Sequence, residues 1–431
     1  MTLDARQFPR LLAGMESSGA LGIAAHESLL GPLATPQLKG VRGGHPLIAE
    51  VERAGMRGYG GAGFPTGTKL DAVAAQRGPR LILVNATEGE PLSDKDELLM
   101  RHLPHQVIDG ALVAAAVLGA EQIVFALDVH ARTAHRSVDQ ALLERREFGQ
   151  RNAPAVSLAT APSGYLSGQE MALVNYLNGG PVKPTATPPY PFERGLRGRP
   201  TLVSNAETFA QLGLVARYGA AWFRALGTET NPGTRLVTVG GGVRYPGVVE
   251  IAGGTSLRQV LNASGGVTEP LQGVLVGGYA GTWMGPDALD LNLDPTNLRQ
   301  QGLALGSGIV FALPESACVV AEVASVARWL ERSSAKQCGP CIHGLAAIAD
   351  ALADLTAEGD RRRAYGHVER WCELVNRRGA CALPDGAASF VTTALRVFRP
   401  AFDDHARHGA CDSCFNHRVM ATTAPEGAVA A

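Results

Sequence analysis

Short apolar runs alternate with helix-length amphipathic stretches through the first half of this 431-residue chain. Arg80–Asn85 (RLILVN) and Gln122–Leu127 (QIVFAL) are almost unbroken apolar runs, the pattern of strands buried on both faces of a parallel sheet. Between them, residues 104–119 open on proline and close on glycine, the asymmetry that marks a helix. Further helices are expected over 167–177 and 204–216, so residues 46–228 read as an α/β-layered domain. Residues 1–45 show weak periodicity and read as a lead-in wrapping that domain.

The texture changes near Asn231-Pro232-Gly233. Short β runs at 236–239, 248–251 and 273–276, set among glycine-rich turns with one helical stretch at 256–263, suggest a small β-rich module over 229–314. From 315 to 400 the pattern becomes helical, like a small bundle. Residues 401–431 are polar, carry a Cys-x-x-Cys, and end in an Ala/Gly/Pro stretch expected to be disordered.

Charge alters this picture only by exclusion. With 39 basic and 40 acidic residues, a net charge of −1 gives no electrostatic reason to expect nucleic acid or an anionic membrane as partner. No run approaches the roughly 18 apolar residues of a spanning helix. The start shows no basic region followed by an apolar core, so a cytoplasmic protein without direct membrane insertion is expected.

Candidate chemistry concentrates in two places. Residues 57–69, RGYGGAGFPTGTK, contain five glycines and end on Lys69. Such a loop lets backbone N–H groups approach an anion closely, with the lysine adding charge, and reads as a phosphate cradle; the plain alternative is a flexible loop with no ligand. The second place is the cysteines, six of which lie after residue 330. Cys338-Gly-Pro-Cys341, Cys381 and Cys411-Asp-Ser-Cys414 suit either an iron–sulfur cluster or tetrahedral zinc, whereas Cys318 and Cys372 fall among apolar neighbours and read as core thiols.

Five separated motifs, in order, resemble the NADH-binding flavoprotein subunit of respiratory complex I and of the related NAD-linked hydrogenases and formate dehydrogenases. They are the glycine loop; Asn85-Ala-Thr-Glu-Gly-Glu-Pro91 with Lys95-Asp96; Tyr165-Leu-Ser-Gly-Gln-Glu170; Pro188-Pro-Tyr-Pro191; and Gly195-Leu-x-Gly-x-Pro-Thr201 with Ser204-Asn-Ala-Glu-Thr208. The resemblance implies an α/β chain with a Rossmann-like FMN-binding domain, then a β-grasp-like SLBB module, then a helical domain holding a [4Fe–4S] cluster. It implies that Gly58, Gly60, Gly61, Lys69, Asn85, Tyr165, Gly168, Ser204 and Asn205 face FMN. Phe64 and Tyr190 would stack on the rings of NADH, with Glu90 and Glu170 as the carboxylates of the catalytic site. Cys338, Cys341 and Cys381 would ligate the cluster.

The implied activity is transfer of hydride from NAD(P)H to FMN, with single electrons passing through the cluster to a ferredoxin-like or other carrier within a hetero-oligomer. The departures matter equally. The family's first cluster cysteine is Ala335 here, so a fourth ligand must come from Cys411, Cys414, His343 or solvent, or else the cluster is [3Fe–4S] or absent. Tyr59, Thr87, Gln169 and Ser204 replace the family's Arg, Asp, Glu and Asn. Loss of two acidic groups has the sign that admits NADPH. The alternative reading is a non-enzymatic scaffold with structural zinc on Cys338, Cys341, Cys411 and Cys414.

Overall fold

The computed structural model describes residues 4, 7–15, 19–33, 45–148, 154–300, 305–357, 359–416 and 418–420. The first apolar runs form a four-stranded sheet of β1 (Arg80–Ala86), β2 (Ala120–Asp128), β3 (Ala155–Ala161) and β4 (Thr201–Asn205), in the order β3-β2-β1-β4 and parallel throughout. Side chains alternate between two cores. Ile82, Val84, Ile123 and Phe125 enter the core shared with helices Pro104–Leu118 and Ala206–Arg224, while Leu81, Leu83, Val124 and Ala126 pack with Leu173, Val174 and Leu196 on the other face. That two-sided burial is why these strands read as continuous apolar runs.

The helices Pro104–Leu118 and Ala206–Arg224 cross with their backbones almost touching. A Cβ on Gly110 would lie 1.7 Å from the Phe209 carbonyl oxygen, and one on Gly213 would lie 3.1 Å from the Gly110 nitrogen. The neighbouring Asp109 is buried and accepts hydrogen bonds from His26 Nε2, Arg145 Nη2 and Arg217 Nη2, each at 2.6 Å. Burial works against its charge, but Arg145, His26 and Arg217 outweigh it and hold the carboxyl below the usual range. The ion cluster thereby fastens the N-terminal helix Ile23–Leu30 to the domain.

A second, mixed sheet has the order β6-β5-β9-β7-β8, from β5 (Thr234–Gly241), β6 (Gly247–Ala252), β7 (Leu271–Val276), β8 (Thr282–Met284) and β9 (Ile309–Pro314). Only β5 and β9 run parallel. Helices Val319–Arg332, Leu345–Asp354, Arg361–Val375, Leu383–Val397 and Arg399–His408 then form a bundle whose core is continuous with Tyr279 and Trp283 of the sheet module.

The expected α/β domain, β-rich module and helical region are therefore present, with three differences. β3 and β4 do not show as apolar runs, because β3 is only half-buried and β4 ends in the polar pair Ser204-Asn205. Asn205 leaves the strand to cap the next helix, whose expected start at Ser204 moves to Ala206. Pro400 does not end the helical region: it occupies the first turn of Arg399–His408, where proline's missing N–H costs nothing. The structure describes the tail through residues 401–416 and 418–420, and the terminal Ala/Gly/Pro stretch expected to be disordered, 421–431, lies outside the described residues.

Substituting Gly110→Ala should lower unfolding stability by about 3 kcal/mol, the upper end of the overpacking range, because backbone and not a side chain must yield. Equilibrium denaturation checks this, and a loss near zero would contradict the close crossing.

Candidate functional site

The glycine loop is tied at both ends. Arg57 and Pro65 form an antiparallel bridge, the Gly58 amide donates to the Phe64 carbonyl at 2.8 Å, and the Tyr59 amide donates to Thr208 Oγ1 at 3.0 Å. Gly61 (φ 113°) and Gly63 (φ 60°) turn the chain through the left-handed region that residues with a Cβ avoid. Tyr59 points away into the core, with the Arg235 guanidinium 5.6 Å from its ring centroid. The Tyr at the family's arginine position therefore anchors the loop and leaves its backbone free.

Facing the loop are the C-terminal ends of β1 and β4, where the chain order reverses across the sheet; ligands of open α/β sheets bind at such points. Asn85 and Asn205 are register partners there. Asn85 Nδ2 donates to the Gly168 carbonyl at 2.9 Å, and its Oδ1 accepts from the Thr87 amide and hydroxyl at 3.2 and 2.6 Å. The Thr87 hydroxyl also approaches the Ser167 carbonyl at 2.7 Å, fastening the Tyr165–Gly168 turn to the strand. Asn205 Nδ2 donates to both Asp96 oxygens at 3.1 and 2.9 Å. Lys95 Nζ lies 3.2 Å from Asp96 Oδ1 and 2.9 Å from Glu207 Oε2. Burial opposes the ammonium charge, but Asp96, Glu207 and Glu88 together raise its pKa.

These groups line a cavity of about 870 Å³. Its wall includes Gly60, Gly61, Asn85, Glu90, Tyr165, Gly168 and Asn205, together with Gly281 and Ser307 of the sheet module and Cys381–Leu383 of the helical region. Thr87, Glu88, Lys95, Asp96 and Gln169 also line it. They sit inside the motifs of the sequence, but nothing in spacing alone marked them as wall residues. Gln169 uses its side-chain oxygen to accept the Ala172 amide at 2.7 Å and cap helix Glu170–Leu177, a task that needs no charge.

Gly58, Phe64, Lys69, Glu170, Tyr190 and Ser204 are not in this wall. Lys69 Nζ instead pairs with Glu170 Oε2 at 2.8 Å. Phe64 and Tyr190 are 51% and 48% exposed, with Tyr190 stacked on Phe192 at 5.7 Å, so both remain accessible to a ligand arriving from solvent.

Glu90 Oε1 accepts the Tyr279 amide at 3.0 Å. Burial pushes its carboxyl up to about 8, with the nearby Glu88 adding to the rise and the Tyr279 amide opposing it. Glu88 itself caps helix Lys95–His102 by accepting the amides of Lys95, Asp96 and Glu97 at 3.0–3.1 Å. Burial and the Asp96 charge push it up to about 7.

Cys338 and Cys341 are hydrogen-bonding neighbours at the start of the Pro340–Gly344 turn, and Cys381 faces Cys341 closely enough to perturb it. Tyr165 shares the cavity wall with Cys381: its ring meets Trp329 edge-on at 5.8 Å, and both Glu90 and Cys381 act on its hydroxyl. Ala335 is buried and offers no ligand, and His343 is exposed. The set Cys338, Cys341, Cys411 and Cys414 is not assembled. Cys411 and Cys414 gather with Cys318 and His405, so Cys318 is not a plain core thiol, whereas Cys372 is.

The donors fit FMN. A backbone stripped of Cβ atoms at Gly60 and Gly61, two carboxamides and a buried ammonium suit phosphate, hydroxyls and a heterocycle. The volume lies within the ~300–1,000 Å³ of cofactor sites. A Cβ on Gly60 would meet Asn205 Cβ at 3.4 Å, and one on Gly168 the Thr87 carbonyl at 3.2 Å. Three thiols, one shared with the cavity wall, fit a cluster's thiolate face. Fold and site together define a flavin and iron–sulfur oxidoreductase component.

Comparison with known proteins agrees. Family models match residues 51–213 as the Nuo51 FMN-binding domain, 236–278 as an SLBB domain, and 321–405 as the NADH-ubiquinone oxidoreductase-F iron–sulfur binding region. An NADH-quinone oxidoreductase F subunit of Rhizobium meliloti (strain 1021) is 32% identical over 85% of this chain and 90% of its own length. Mitochondrial NADH dehydrogenase [ubiquinone] flavoprotein 1 of Dictyostelium discoideum is 31% identical over 84% and 79%. A chain in a crystal structure of an NAD⁺-reducing [NiFe]-hydrogenase superposes with a TM-score of 0.78 at 29% identity; 84% of this chain is covered but only 62% of that one. The chain belongs to the family of the NADH-quinone oxidoreductase F subunit, whose FMN-binding, SLBB and iron–sulfur regions it carries in the same order.

Two outcomes follow from this geometry. In the cofactor-free protein, Glu90 binds its proton more tightly folded than unfolded, so it stabilises at low pH and that contribution is lost as pH rises toward about 8. Thermal melts of Glu90→Gln should therefore fall less steeply than wild type between pH 5 and 8 (roughly the span from an ordinary carboxylate to the raised value); parallel slopes would contradict it. Cys381→Ser should lose iron and retain FMN, measured by metal analysis and the flavin spectrum, and unchanged iron would remove Cys381 from the cluster.

Proposed function

We propose that this chain takes hydride from NADH or NADPH and passes the electrons singly, through its iron–sulfur centre, to a partner carrier. FMN, when bound, supplies the conversion between a two-electron donor and one-electron acceptors. The observation that carries the reading is the shared wall: Cys381 lines the same cavity as Gly60, Asn85 and Asn205. The half-exposed aromatics Phe64 and Tyr190 support docking of the dinucleotide rings at the outer edge, with the Lys69–Glu170 pair among the polar groups there.

The chain's own residues set the conditions for hydride transfer. Asn85, Asn205 and Lys95 orient a phosphorylated ring system through groups already fixed by neighbours, so little reorganisation is needed. Glu90 has Oε1 committed to the Tyr279 amide, which leaves Oε2 to hold or release a proton near neutral pH as charge in the cavity changes. Tyr165 lines the cavity and packs edge-on against the buried Trp329, which holds its ring in place. No proton need be removed from the nicotinamide, so the absence of a histidine from the cavity wall among the described residues is compatible with the reaction.

The relatives are named as components of larger oxidoreductases, and we infer that this chain works within a cytoplasmic hetero-oligomer, with a ferredoxin-like or comparable protein receiving the electrons. No helix among the described residues is long and apolar enough to cross a membrane.

Protein reconstituted with FMN under anaerobic conditions should bleach at about 450 nm, the flavin band, on adding one dinucleotide. Parallel titrations decide between NADH and NADPH. Absence of bleaching with both would overturn the proposed activity.

A further inference from the structure

We propose that Cys318, His405, Cys411 and Cys414 form a tetrahedral zinc site, separate from the iron–sulfur cysteines, which clasps the C-terminal segment to the helical region. Their ligand atoms all lie within 4.8 Å of one another, and no other set of three or more His, Cys, Asp or Glu does so among the described residues. Cys318 Sγ is 3.4 Å from His405 Nε2 and 3.3 Å from Cys414 Sγ; Cys414 Sγ is 3.3 Å from His405 Nε2 and 3.7 Å from Cys411 Sγ. Zn–S bonds of about 2.3 Å and a Zn–N bond of about 2.0 Å at tetrahedral angles require S···S edges of about 3.8 Å and S···N edges of about 3.5 Å. The set is therefore close to the size of one mononuclear ion. The sulfurs are too far apart for a disulfide, whose bond is about 2.05 Å.

The surroundings are those of a ligand set. Cys318, His405 and Cys414 are buried, and Cys411 is half-buried. The His405 Nδ1–H donates to the Ala401 carbonyl at 2.7 Å, which fixes the tautomer and turns the lone pair of Nε2 toward the three sulfurs. The Ala321 amide, at the start of helix Val319–Arg332, donates to Cys318 Sγ at 3.5 Å and fixes the position of that sulfur. The Cys414 amide donates to the Cys411 carbonyl at 2.9 Å, in the tight turn that brings a Cys-x-x-Cys pair onto one ion. Three thiolates and one imidazole form a soft set suited to zinc and poorly suited to magnesium or calcium.

The site is distinct from the chemistry of the family regions. Cys318 precedes the matched iron–sulfur region, which ends at His405, and both tail cysteines follow it. Coordination would join residues 96 positions apart, Cys318 and Cys414, and so remove loop entropy from the unfolded chain. The same clasp continues beyond Cys414, where the Val419 and Met420 amides donate to Glu322 at 3.0 and 3.1 Å. Cys318 and Glu322 lie on the first turns of helix Val319–Arg332, so the ion and the Glu322 carboxylate would tie the tail to one end of that helix.

The test is metal analysis of the full chain, purified anaerobically in reduced form, together with zinc-edge X-ray absorption. About one zinc per chain in addition to iron is expected, with a shell of three sulfurs at about 2.3 Å and one nitrogen at about 2.0 Å. The double variant C411S/C414S should lose the zinc while keeping iron and FMN, and Cys381→Ser should do the reverse. If the double variant fails to fold, His405→Cys supplies a second check: it should retain zinc, now with four sulfurs. Cobalt(II) substitution of wild type should give the visible bands of a tetrahedral thiolate site. The proposal is overturned by wild type without zinc, whether its four side chains are free, joined as a disulfide or holding iron. Loss of iron together with zinc in a folded C411S/C414S variant would equally overturn it, since the tail would then belong to the cluster.

Discussion

Parallel pairing of β1 with β4 places Asn85 beside Asn205, and the site is hung from that register. A slip of β1 by one residue would turn Asn85 to the opposite face of the sheet and break its pairing with Asn205 at the cavity. Asn85 holds the Tyr165–Gly168 turn through the Gly168 carbonyl, and Asn205 holds Asp96 and through it Lys95. The glycine loop reaches the same point by way of Thr208, one helical turn beyond Asn205. The cavity wall therefore depends less on loops than its glycine content suggests. Its polar members are attached to strand ends and helix starts, which are buried on both sides.

Much of the fold was legible because two-sided burial writes itself as apolar runs, and proline and glycine punctuate helices. β1, β2 and helix Pro104–Leu118 follow those rules closely. β3 and β4 do not, since one is half-buried and the other ends in residues chosen for the site rather than for a sheet. Pro400 misled for a different reason: the same residue type starts a helix as readily as it follows one. The site was legible where backbone and carboxamides make it, at Gly60, Gly61, Asn85, Gly168 and Asn205. It was not legible at Lys95, Thr87 or the 277–282 and 381–383 segments, because tertiary packing alone decides which of their atoms face the cavity. Lys69 illustrates the limit. Its position after the glycine loop suggested a phosphate partner, yet the structure pairs it with Glu170.

The departures from the family pattern acquire physical meanings. Tyr59 packs beneath the loop instead of extending a charge from it, Thr87 bridges Asn85 and the Ser167 carbonyl, and Gln169 caps a helix. Each substitute serves a fixing role that a neutral side chain can perform. Their combined effect is a less acidic cavity rim with the same framework. Among the described residues, the tail cysteines are engaged with Cys318 and His405 and Ala335 offers no ligand, which leaves Cys338, Cys341 and Cys381 as the candidate cluster thiols. Of these, Cys381 is the one that lines the cavity.

The central claim is that flavin and cluster share one wall through Cys381. A crystal structure of the anaerobically purified protein, with anomalous data at the iron edge, tests it most directly. The account predicts flavin density between Gly60–Gly61, Asn85 and Asn205, and an iron peak bounded by Cys338, Cys341 and Cys381. An iron peak at Cys411 and Cys414, or flavin bound away from the ends of β1 and β4, would contradict it.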